Sequence, residues 1–100
     1  VNAWDRLRPV LGAAELEQVR ELVERAPASA TAGTYLAATK LLWVGAKLDG
    51  ELVGWLLSPA ADEAEARGMG EWLADLLAQA CGPLREARAA TAEAIRKAAH

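Results

Sequence analysis

The stretch Tyr35–Leu57, YLAATKLLWVGAKLDGELVGWLL, decides the fold, and it reads in two ways. Read as a helix, it carries Leu41, Val44, Leu48, Leu52 and Trp55 in one apolar stripe, with Lys40, Lys47 and Glu51 on the opposite face. Ala46, Gly50 and Gly54 then recur every fourth residue, a groove in which another helix would approach closely. Read as a hairpin, Asp49-Gly50 is a favoured two-residue turn between Leu42–Leu48 and Glu51–Leu57. That register sets Val44 opposite Trp55 and Gly45 opposite Gly54. Three glycines would cost a helix about 2–3 kcal/mol relative to alanine. Glycine also weakens strands, and Val44 and Val53 are the only β-branched residues between 41 and 57. The surroundings tip the balance, because about a quarter of all positions are alanine, the strongest helix former. The expectation is therefore a helix over 31–57, with the hairpin at 42–57 as the alternative.

The flanks read as helical. Leu16, Val19, Val23 and Ala26 share one face, with Glu15 and Glu17 near the start, Arg25 near the end and Pro27 as a stop. Before them, Asn2 is placed to cap a short turn over Ala3–Arg8. Ser29 or Thr31 is available as an N-cap for the segment that follows. Ser58-Pro59 has the form of an N-cap followed by a first-position proline, opening a helix that runs through Trp72, Leu73, Leu76, Leu77 and Ala80. Gly68-Met69-Gly70 marks a kink within it. Gly82-Pro83 reads as its end and as the start of a last helix, Leu84–Ala99, whose apolar face is nearly all small. The expected architecture is one mainly α domain of 100 residues, a bundle of about four helices near 13–26, 31–57, 59–81 and 83–99. Trp43 and Trp72 are assigned to its core.

Composition narrows the chemistry. His100 is the only histidine and Cys81 the only cysteine. A nucleophile has no base nearby to activate it, and no cluster of ligands calls for a metal, so no catalytic residue, metal or cofactor is expected. Cys81 reads as a small buried hydrophobe. The carboxylates Glu15, Glu17, Glu21 and Glu24 lie along a helix with Arg20 and Arg25 within reach, the pattern of a solvated, ion-paired face. Gly68-Met69-Gly70 lacks the lysine and hydroxyl of a phosphate loop. No apolar run reaches the roughly 18 residues of a membrane span, and a single cysteine suits a cytoplasmic protein. The arginine-rich, alanine-rich composition points to a bacterial source.

Two resemblances extend the reading. Trp43-Val44-Gly45 in a chain of this size resembles the Trp-X-Gly family of small secreted helical hairpins, in which the motif forms the turn between two long helices. Pro27 and Pro59 depart from that pattern, since each would interrupt an arm. Glu21-Leu22-Val23 followed by Ser29, Thr31 and Leu36, with Asp49-Gly50 as a wing, is similar to a winged helix-turn-helix across residues 13–57. That resemblance implies a DNA-binding regulator. Its recognition segment, TAGTYLAATK, has no arginine, asparagine or glutamine to read base edges, and the net charge is −3. Nucleic acid is therefore not the expected partner.

The favoured function is a non-catalytic protein–protein interaction or oligomerisation module, standing alone or as the N-terminal part of a longer protein. A homodimer is its simplest form. Its expected contact residues are Trp4, Leu41, Leu48, Leu52 and Trp55, with Arg85, Arg88 and Arg96 on the last helix. Those arginines would face the acidic residues of 62–75.

Overall fold

A computed structural model describes residues 3–99. The order of elements is α1 (Ala3–Leu7), α2 (Ala13–Arg25), β1 (Ala30–Leu36), β2 (Leu41–Leu48), β3 (Glu51–Pro59) and α3 (Glu63–Ala98). The three strands form an antiparallel meander in the order β1-β2-β3. The four-helix bundle is thus overturned: the fold is α+β, and the segment expected as a helix over 31–57 is the sheet.

The reason lies in β2. Helices cover both faces of the sheet, so the central strand is buried on both sides and reads LLWVGA, a continuous apolar run without a period of two. On one face Trp43 and Leu52 join Leu7, Leu11, Val19, Val23 and Leu36 beneath α1 and α2. On the other, Leu42, Val44 and Ala46 meet Ala66, Leu73 and Leu77 of α3. The Ala46, Gly50 and Gly54 groove does not exist, because these residues sit in two strands and a turn.

The hairpin alternative matches at the turn. Asp49 and Gly50 have φ of 51° and 82°, both positive, as a type I′ turn requires. The register agrees with expectation only beside that turn, at Leu48↔Glu51 and Lys47↔Leu52. Val53 is then an extra residue, a bulge, and every later pair slips by one: Gly45 faces Trp55 and Val44 faces Leu56. β1 replaces the expected recognition helix, so the winged-helix layout is also overturned. Trp43-Val44-Gly45 lies inside β2 and forms no turn between helices.

Three other expectations near the ends of elements change. No helix starts at Ser29 or Thr31, since β1 begins at Ala30. Ser58-Pro59 is the end of β3 and not a helix start. The cap is Asp62, whose Oδ1 accepts from Glu65 N at 2.8 Å, while Glu65 Oε2 accepts from Ala61 N at 2.9 Å. Finally, the helices expected at 59–81 and 83–99 are one helix of 36 residues with Pro83 inside it. Gly68-Met69-Gly70 does not divide it either. Asn2, the expected cap of α1, and His100 lie outside the described residues.

Candidate interaction surface

α3 runs antiparallel to β3, and its track across the sheet can be followed residue by residue. Ala66, Leu73 and Leu77 are its buried positions, and a Cβ on Gly54 would lie 3.5 Å from Leu77 Cδ1. Further along, Arg88 reaches the β2–β3 turn. Its guanidinium donates to Leu48 O at 3.3 Å and Glu51 Oε2 at 3.2 Å, and Asp49 Oδ2 lies 3.5 Å away. α3 is thereby held along the sheet from Ala66 to Arg88. Beyond Arg88 every described residue is exposed.

The two flanks of α3 differ in chemistry. On the β1 side, Glu63, Ala66, Arg67, Gly70 and Glu71 wall a cleft of about 340 Å³ over Thr31, Gly33, Tyr35 and Val44. Its polar groups are engaged or solvated: Tyr35 Oη donates to Ala60 O at 2.9 Å, and Arg67 lies 3.6 Å from Glu63. No nucleophile–base pair lines it. At about 100° round the helix per residue, Met69, Trp72 and Leu76 fall on the side of α3 turned away from that cleft. Trp72 is 61% exposed and Leu76 40%. Beneath this flank, Val53 and Leu56 of β3 are half-buried against the α3 core.

β3 is also an edge strand. Among the described residues, the backbone of Val53–Ser58 hydrogen-bonds to nothing outside its ladder with β2. The run Leu52–Leu57 carries no charge, with Glu51 and Pro59 only at its ends. The other edge, β1, is polar. Gln18 Nε2 donates there to Thr34 Oγ1 at 2.9 Å and approaches Tyr35 O at 3.4 Å. An uncharged edge strand bordered by exposed apolar side chains is a surface suited to a protein contact.

The residues expected from sequence to make contacts are scattered. Leu48 and Leu52 are buried within the chain itself, Leu52 in the core beneath α1 and α2. Leu41 packs half-buried against the α1/α2 side. Trp55 donates its indole N–H to Ala3 O at 3.1 Å, which pins α1 to β3. Trp4 lies under Arg20, whose Cζ is 5.3 Å from the ring centroid. Arg88 clamps the hairpin turn instead of an acidic stretch at 62–75, Arg96 pairs locally with Glu93 at 2.8 Å, and Arg85 is exposed beside the hairpin tip. Trp72, assigned to the core, is on the surface. Its exposure, like that of Leu76, is not foreseen by the sequence pattern. Lys47, placed on a solvated helix face, instead donates to Val23 O at 2.7 Å and Ala26 O at 3.1 Å, satisfying the last carbonyls of α2.

Cys81 is half-buried against the α3 core, and among the described residues no three His, Cys, Asp or Glu side chains are grouped to hold a metal ion. No described helix is long and apolar enough to cross a membrane. No protein-family model, curated protein or solved structure matches the chain.

Proposed function

We propose that this chain is a non-catalytic protein-interaction module that works by self-association, as a homodimer, in the cytoplasm. The supporting observation is the juxtaposition of an uncharged edge strand with an exposed tryptophan and leucine on the neighbouring helix flank. The acidic balance, net −3, disfavours nucleic acid as the occupant.

Sedimentation velocity across about 1–200 μM, the range in which small interfaces assemble, tests this reading. The expected result is a mass rising from 10.6 kDa towards twice that value. A monomer throughout the range would remove self-association as the function.

A further inference from the structure

We infer that the second copy docks through β3 itself, antiparallel about a two-fold axis at Leu56, to make a continuous six-stranded sheet. The inference rests on the proposed self-association and names its surface.

Strand edges pair through backbone groups, and an antiparallel edge is complementary to itself, so one surface serves both copies. The stretch available is Gly54–Ser58. It is bounded by the bulge at Val53 and by Pro59, which has no N–H to give. Its middle residue is Leu56. Centring the axis there sets Leu56 beside its own copy, Trp55 beside Leu57 of the partner and Gly54 beside Ser58 of the partner. Like faces of the two sheets stay together under such an axis.

The helices then explain the side chains. Each α3 lies mainly over β2 and leaves β3 half-covered. In the paired sheet, β2 of one copy is three strand spacings from β2 of the other, roughly 14 Å. Two helices in contact lie 8–10 Å apart, so the gap over the paired β3 strands needs large side chains. Counted round the helix at about 100° per residue, Met69, Trp72 and Leu76 fall on the side of α3 opposite the β1 cleft, the side turned to the partner, and Leu56 and Val53, half-buried against the α3 core, would form the floor. β1 offers no equivalent, since its flank is the cleft with Glu63, Arg67 and Glu71. Burying one strand edge with these side chains covers roughly 600 Å² per copy, near the lower limit for a specific interface, so micromolar affinity is expected.

Hydrogen exchange below and above the dissociation constant distinguishes this arrangement from others. Backbone amides within Gly54–Ser58 that exchange fast in dilute solution should become protected at high concentration, while those of β1 should not change. Trp72→Glu, at a position exposed in the monomer, should weaken association by at least about tenfold with its fold intact by circular dichroism. Leu56→Lys should do the same, and Trp72→Glu remains decisive if Leu56→Lys unfolds. Ile95→Glu, on the distant end of α3, should leave association unchanged. A dimer whose protection appears at β1, or only on α3, would overturn the β3 pairing and leave self-association standing. So would a dimer indifferent to Trp72→Glu. A monomer at every concentration would overturn both.

Discussion

Gly45 and Trp43 act as one unit on the inner face of β2. Trp43 is fully buried, and its ring lies over Gly45: a Cβ there would sit 2.7 Å from Trp43 Cζ2 and 3.0 Å from Leu52 Cδ1. The glycine is required for the space it leaves, and its φ plays no part. Gly45→Ala should therefore cost about 2–3 kcal/mol, the range for overpacking a rigid core. Trp43→Leu should recover part of that loss in the double variant, giving a coupling of about 1 kcal/mol or more in a denaturant titration. A Gly45→Ala protein within about 0.5 kcal/mol of the parent would show that the ring is not held there. Trp43 Nε1 is buried without a partner, a cost of about 1–3 kcal/mol, so the ring is kept for its volume. This is why Trp43-Val44-Gly45 misleads as a motif. The tripeptide records a large ring and the gap beside it, which a sequence shows as adjacency and a family resemblance reads as a turn.

At the scale of elements, legibility followed how each segment is buried. α2 is covered on one face, so its period of 3.6 is visible and its ends at Gly12 and Pro27 stand where the sequence puts them. The β2–β3 turn was legible because Asp49-Gly50 has a local reason to take positive φ. β2 was not, because burial on two faces erases alternation and leaves a run that suits either structure. α3 failed in the opposite direction. Gly68, Gly70, Gly82 and Pro83 are all stop signals, yet the helix passes through them, since anchors on both sides of the breaks, Ala66 and Leu73 before and Leu77 and Arg88 around, hold it to the sheet. The breakers then remain as local weaknesses. A Cβ on Gly68 would meet nothing within 4 Å, so Gly68→Ala should stabilise the protein by about 0.5–1 kcal/mol, read as a rise in melting temperature. An unchanged or lowered melting temperature would mean that α3 does not run unbroken through residue 68. Trp72 was misplaced for a related reason. Its neighbours Leu73 and Leu77 define the buried face, and Trp72 lies one step off it, a difference that a 3.6 period blurs when Leu76 is apolar too.

At the scale of the molecule, one dimension dominates. The extents are 55 × 26 × 21 Å, and a 36-residue helix spans about 54 Å. α3 alone therefore sets the length. The radius of gyration is 15.3 Å, against about 13 Å for a compact chain of this size. The sheet ends at the hairpin turn, where Arg88 takes hold, and the last turns project beyond it with Ile95 64% exposed. Residues 91–98 bury too little to contribute to global stability, and their own helix is short and marginal without a support. A chain ending at Ala90 keeps the Arg88 contacts to Leu48, Asp49 and Glu51. It should unfold in urea within about 0.5 kcal/mol of the parent, the spread expected of changes at the surface. In the parent, the amides of 91–98 should exchange through local fraying, well below the global free energy, whereas those of α2 and β2 should require global unfolding. Because the proposed seam is at Leu56 and Trp72, roughly 25 Å or more along α3 from its end, the shortened chain should also associate as tightly as the parent. A truncation that lowered stability by several kcal/mol would place residues 91–98 in the core of the fold. One that abolished association while leaving stability intact would move the interface from the sheet edge to the projecting end of α3.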